Sequence, residues 1–364
     1  MSRHDIQPTD VTGVQRQARE FASEYAHLSL YRRLAEGLAG DDEVAALLLS
    51  AQPGQTRPVL ILAALHDLVL REPDLPAAQW YPSITGAAAS PAGDPWPDVR
   101  AAALDHAESV REVIATHTTQ TNEVNRSVYL AALLTAACAD LPDAPVTLVE
   151  QGASAGLLLG VDRYSTTLVS ASGQTSVGPR DALVRCEGVD RSAAPLTLRL
   201  PSVAARVGVD LHPADLRDAD TVRWLEACLW PDLPVRLDRF RAAVRTLAAD
   251  PPTVRSGDMV GDLGEVIAGV RTRVADEHVL VFSSWALTYV ERSQRPRVVD
   301  VLEHVAADGT PVSWITAEPD GCVPGLPLVD RPETVLGVTR WRAGRRTVDV
   351  LGTCHPHGEW VELS

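Results

Sequence analysis

The sequence predicts an α/β protein: a mostly parallel, doubly wound sheet preceded by an all-helical N-terminal cap. Three observations carry this reading. Before residue 141 the apolar residues recur mostly at helical spacing. After it, short apolar runs alternate with helical segments, the pattern of parallel strands joined by crossovers. The chain then closes on GVTRWRAGRRTVDVLG, two alternating runs around Ala343-Gly344 that read as a β-hairpin. Residues 1–140 are therefore assigned to the helical cap and 141–364 to the sheet domain, with an insertion at about 165–200.

In the cap, Asp41-Asp42 can start the helix EVAALLLSA, and RPVLILAALHDLVLRE reads as a mostly buried helix. A Pro-, Gly- and Ala-rich loop follows, anchored by Trp80 and Tyr81. Asp98 can cap one long helix through VRAAALDHAESVREVIATH, and NRSVYLAALLTAACA forms another after a short break. In the sheet domain the expected strands are VTLVE (146–150), ARVGVDL (205–211), TVRSGD (253–258), HVLVFSS (278–284) and VSWITAE (312–318). Helices are expected at SAGLLLGVDRY, VRWLEACL, VRLDRFRAAVRTLAA and RPRVVDVLEHVAA. No internal repeat is visible.

Composition bounds the function. The chain has 364 residues, 45% of them apolar, and a net charge of -15. It can bury a substantial core, and its charge disfavours nucleic acid or an anionic membrane as partner. All 33 basic residues are Arg. Without lysine there is no Schiff-base lysine and no Walker P-loop lysine. The five cysteines form no Cys-x-x-Cys pair, which suits free thiols in a reducing cytoplasm. MSRHDIQPTD lacks an apolar signal-peptide core, and the longest apolar stretch, Val128 to Cys138, is too short to span a bilayer. These features predict a soluble, cytoplasmic protein, and the polar segment TQTNEVNRS adds a small polar metabolite as its ligand. They are compatible with self-association or with a second subunit.

The chemically richest segment is VTLVEQGASAGLLLGVDRY, where a strand ends at Glu150 and Gly152 makes the turn. Gly156 is expected in the first turn of the next helix. Glycines here let backbone N–H groups approach a ligand. The alternative is plain packing of helix on strand.

Together with YPSITG, TQTNEVNRS, GVDLHPADLRDADTVRWL, LWPD and LVFSSWALTYV, this segment resembles a bacterial family of unknown function with a Rossmann-like, class I methyltransferase-like fold. The resemblance covers most of the chain. It implies a nucleotide-type pocket at the carboxyl ends of the strands. Glu150, Gly152, Ser154 and Gly156 would form an S-adenosylmethionine turn, Asp210 would hold the ribose, and Gly257 and Asp258 would lie beside the adenine. Gln151 and Leu158 depart from the usual acid-Leu-Gly and Gly-Leu-Asn pattern. Asp210 also follows Glu150 by 60 residues, against about 20 in a dinucleotide fold, which is why an insertion is required.

Other readings compete. Gly152-Ala153-Ser154-Ala155-Gly156 matches a nucleophile elbow with His355 or His357 downstream. Against it, only helices precede the strand and the lipase-type HGGG segment is missing. His355-Pro356-His357 offers two imidazoles but no third ligand at a recognisable spacing, so no metal is assigned. TQTNEVNRS concentrates polar groups at a helix start. Thr121 or Asn122 can cap, leaving Asn122, Glu123 and Arg126 to bind substrate, with Arg126 grasping an anion in a fork.

Displacement at carbon needs a base of near-neutral pKa. His117, ending the long helix, and Asp67, amid Leu and Ala, are the candidates. The resemblance implies an Arg and a Tyr at those places. The expected activity is S-adenosylmethionine-dependent methyl transfer. The alternatives are a cofactor-free displacement in secondary metabolism that closes a small, aziridine-type ring with loss of a sulfate- or phosphate-type group, and a non-catalytic partner subunit.

Overall fold

The computed structural model describes residues 8–271 and 277–364; the first seven residues of the polar N-terminus read above lie outside them. Helix α1 (Val11–Glu24) starts where Asp10 accepts the Gly13 amide. α2 (Ser29–Leu38), α3 (Asp42–Leu47) and α4 (Pro58–Arg71) follow. Asp41 caps α3 as expected, accepting from Glu43 and Val44. Next come α5 (Pro82–Thr85), α6 (Trp96–Asp105) and α7 (Ala107–Thr116). The single helix expected over 99–117 is thus two, broken at His106 (φ -109°, ψ 25°). Asp98 does not cap: its carboxylate accepts from Trp80 Nε1 at 2.8 Å.

The remaining elements are α8 (Ser127–Ala137), β1 (Val146–Gln151), β2 (Ser165–Ser170), β3 (Gly173–Val177), β4 (Arg185–Asp190) and β5 (Val203–Asp210). They continue with α9 (Ala219–Ala227), α10 (Pro234–Leu247), β6 (Thr253–Ser256), α11 (Leu263–Val270), β7 (His278–Ser284) and α12 (Pro296–Ala306). β8 (Val312–Pro319), β9 (Thr334–Arg342), β10 (Arg345–Cys354) and β11 (Trp360–Leu363) end the chain.

Two compact units result, 1–122 with 217–241 and 123–216 with 242–364. These bounds differ from a single cut at 140, for packing reasons. Trp224 and Ala227 of α9 are buried in the helical core beside Tyr31, Leu65 and Tyr81. α8, apolar all round, instead packs on β8, β9, β2 and β4.

The helical unit buries one continuous core from Val14 to Ile114, closed by α9. The sheet unit holds an eleven-stranded sheet ordered β3-β2-β4-β11-β10-β9-β8-β7-β1-β5-β6. β6, β5, β1, β7 and β8 are mutually parallel. Numbered along the chain, these five stand in the order 3-2-1-4-5 of a doubly wound fold. β9 and β10 then add antiparallel, turning at Ala343 and Gly344, both at positive φ.

This is the Rossmann-like, methyltransferase-type sheet with a terminal hairpin that the sequence predicts. The inserted region becomes β2, β3 and β4, joined to the sheet through β11. One face packs Val149, Val281 and Trp314 against α11 and α12; α8 packs on the sheet as well.

Candidate functional site

In a doubly wound sheet the strand order reverses at one point, and the crevice at the carboxyl ends there is where ligands bind. Here that point lies between β1 and β7. The last turn before α8 brings Arg126 to it: Nη1 donates to the Ser284 carbonyl at 3.0 Å and Nε to the Pro356 carbonyl at 3.2 Å. The Ser284 hydroxyl is 2.7 Å from the Tyr129 hydroxyl. The guanidinium expected to fork onto an anion is therefore already committed to backbone carbonyls.

Beside it, Glu150 is buried and its Oε2 has no hydrogen-bond partner. Burial pushes its carboxyl well above the usual range; the Arg126 charge opposes this and Asp210 adds to it. Glu318, at the end of β8, is a second enclosed acid. Its Oε1 accepts from the Ala286 and Leu287 amides at 3.0 and 3.2 Å, while Oε2 lacks a partner. Burial raises its pKa to about 7, against the pull of those two amides and of Arg126. Two buried acids thus stand around one cation.

The glycine turn packs closely on its surroundings. Gly152 has φ 68°, and a Cβ there would fall 2.7 Å from the Ala286 Cβ. Ser154 has φ 51°, and its amide donates to Asp210 Oδ2 at 2.8 Å. Asp210 Oδ1 accepts from His212 at 2.9 Å. A Cβ on Gly156 (φ 69°) would lie 2.9 Å from Pro252 Cγ.

Residues 157–163 form a 3-10 helix, not the expected α-helix, so neither a helix-dipole anion site nor the α-helix of a nucleophile elbow follows the turn. The Gly257 amide donates to the Asp210 carbonyl at 2.9 Å. Asp258 Oδ1 accepts from Val260 and Gly261 at 2.8 and 2.6 Å. Tested against S-adenosylmethionine, these residues match unevenly. The turn and Asp210 close on the protein itself, whereas unpartnered Glu150 fits a positively charged group.

The other expected residues divide between the units. In the helical unit, Asp67 is buried and ion-paired with Arg223 at 2.8 Å. His117 caps the end of α7; its Nδ1 lies 2.9 Å from Thr116 Oγ1 and its ring 4.6 Å from Trp224. No hydrogen bond joins Asp67 to His117 among the described residues. Asn122 is buried with Nδ2 unpartnered. In the sheet unit, Glu123 caps the turn before α8 by accepting the Asn125 amide at 2.9 Å. The rings of His355 and His357 stand 5.6 Å apart.

Sequence reasoning missed Glu318, Ser283, Ser284, Thr316 and Tyr129. The available signal was the ending of two expected strands in Ser-Ser and Thr-Ala-Glu, polar where a buried strand should stay apolar.

Comparison with known proteins matches residues 14–363 to a family described as uncharacterized protein conserved in bacteria (DUF2332). Comparison with curated proteins returns no match. Among solved structures, the rRNA methyltransferase aviRa from Streptomyces viridochromogenes aligns with 60% of this chain and 85% of its own, at 17% identity and a TM-score of 0.30. A second structure of the same protein gives 16% identity and a TM-score of 0.29, with the same coverage.

Proposed function

This chain belongs to the DUF2332 family of bacterial proteins, and for it we propose a small-molecule enzyme performing displacement at carbon. The leading chemistry is S-adenosylmethionine-dependent methyl transfer to a small polar metabolite. The observation that carries this is buried Glu150 at the switch point, whose Oε2 has no partner. A buried carboxylate is costly unless a positive charge meets it, and Arg126 is engaged elsewhere. S-adenosylmethionine, when bound, would bring a sulfonium cation and an electrophilic methyl group. Glu150 would hold the charged end, and Ser284 and Tyr129 would border it. Within the helical unit itself, His117 is kept as a candidate base and ion-paired Asp67 as a positioning group.

A second reading drops the cofactor and keeps the displacement, closing a small ring with loss of a sulfate- or phosphate-type group. The closure of the glycine turn on Ala286 and Pro252 favours it.

Calorimetry separates the two. Under the first, the protein binds S-adenosylmethionine or its homocysteine product at micromolar concentration, and saturation raises the melting temperature. Glu150→Gln weakens that binding about tenfold, the loss of one charge-assisted contact. A wild-type protein that binds neither compound removes the methyl-transfer reading.

A further inference from the structure

Three polar oxygens at the carboxyl ends of β7 and β8 have no role in the methyl-transfer reading: Ser283 Oγ, Thr316 Oγ1 and Glu318 Oε2. Each is sealed from solvent and none has a hydrogen-bond partner. Their residues are 2%, 1% and 0% exposed. Register puts them together. Ser283 and Thr316 are direct neighbours across the parallel pair, and Glu318 follows Thr316 by two on the same strand, hence on the same face. The Ser283 hydroxyl lies beside the Glu318 carboxyl and favours its ionised form. Glu150 is on the opposite face, since Gln151 is the β1 residue paired with Ser283.

Such a cluster is costly if left dry, because each unpaired buried polar atom forfeits its hydration. It also lacks a positive charge of its own. Arg126 is the cation whose field reaches Glu318, but its Nη1 and Nε donate to the Ser284 and Pro356 carbonyls. Tyr129 and Cys322 also lie near Glu318, both pushed upward by burial and uncharged at neutral pH, and Arg295 and Asp320 stand by Cys322 as a cation and an acid of opposite sign. The Ala286 and Leu287 amides occupy only Oε1.

We propose that Ser283, Thr316 and Glu318 form the seat for a primary ammonium group carried by the small-molecule ligand. An ammonium has three N–H donors and no acceptor. Three oxygens that all accept, one of them a carboxylate, match it in number and charge. The proposal rests on reading this crevice as a small-molecule site and adds the class of ligand. Binding moves one proton: the Glu318 carboxylic acid ionises as the ammonium arrives, and its proton goes to the buffer. The affinity accordingly rises about tenfold per pH unit up to pH 7 and levels off above it.

The probe is methylammonium chloride, with tetramethylammonium chloride at equal concentration as the control that carries charge but no donors. At pH 8 the wild-type melting temperature rises with methylammonium and not with the quaternary ion. Thr316→Val, close to isosteric, and Glu318→Gln, which keeps an acceptor for the two amides, each raise the apparent dissociation constant at least tenfold. If Glu318→Gln fails to fold, Ser283→Ala and Thr316→Val carry the test. Equal responses to the two cations, or a methylammonium response unchanged in the variants, overturn the proposal and leave a water-filled nest. This readout is independent of S-adenosylmethionine. A methylammonium effect without cofactor binding removes the methyl-transfer reading and keeps the seat, and the converse removes the seat alone.

Discussion

Arg223 donates its Nε–H to the Asp67 carboxylate at 2.8 Å, which ties α9 to the middle of α4. The Nη1 of Arg223 also binds Asp220 at 2.6 Å. The next residue, Trp224, packs its ring against His117. Neighbouring positions of one helix thus hold both residues that the sequence singles out as an acid–base pair. For Asp67 this is a structural tie, because a buried acid beside Leu65, Leu68 and Ala64 is costly unless a cation meets it.

Removing that cation is therefore worse than removing the charge. Arg223→Ala leaves a buried carboxylate unpaired, and we expect about 2–3 kcal/mol of destabilisation in urea. That is below the range for a sealed pair, because Arg223 itself is partly exposed. Asp67→Asn keeps the shape and removes the charge, so the expected loss is about 1 kcal/mol. A smaller loss for Arg223→Ala than for Asp67→Asn would refute the tie.

Arg126 gives the second prediction. The sequence alone suggests that Arg126→Lys spares the fold and cripples ligand binding. The structure shows two guanidinium nitrogens bridging the Ser284 and Pro356 carbonyls, a span that one ammonium cannot cover in the same geometry. The expected result is a loss of about 1–3 kcal/mol, the usual scale for leaving a buried acceptor unmet. An unchanged melting temperature would restore the anion-fork reading.

How much of this was legible depends on the kind of signal. β1, β7 and β8 read clearly because strands buried on both faces are written as near-continuous Val, Ile and Leu runs. The hairpin at Ala343-Gly344 read clearly because its turn needs positive φ. The break at His106 did not. The buried positions Ala103 and Val110 on either side stay seven apart, so helical phase continues through it. At the turn after β1, Gly156 looked like part of an α-helix, because spacing cannot separate a glycine that meets a ligand from one that meets Pro252. Glu318 escaped for a related reason. An acid ending a strand normally faces solvent, and only the three-dimensional neighbourhood shows this one enclosed.

The third prediction concerns pH, and two groups of the sheet unit pull in opposite directions. Burial holds His278 down to about 3; the nearby Arg342 and Arg340 charges add to this, while Asp140 opposes it. Its folded pKa lies below the unfolded value near 6.5. On acidification the unfolded chain therefore takes the proton first, and stability present above pH 6.5 is lost as pH falls toward 3. Glu318 behaves oppositely. Its folded pKa of about 7 exceeds the ordinary 4.5, so its contribution is complete below pH 4.5 and disappears as pH rises through 7. Between pH 4.5 and 6.5 the two nearly cancel, each worth about 1.4 kcal/mol per pH unit while it titrates. Glu318→Gln removes one side of that balance. Its stability should fall on going from pH 6.5 to 4.5 by roughly 2–3 kcal/mol more than that of the wild type, as measured by urea denaturation at closely spaced pH values. His66, which burial lowers to about 4 in the helical unit, is untouched by the substitution and serves as the common background. Parallel pH profiles for Glu318→Gln and the wild type would show that the Glu318 carboxyl titrates alike in the folded and unfolded chains, and would remove the proton release expected of the ammonium seat.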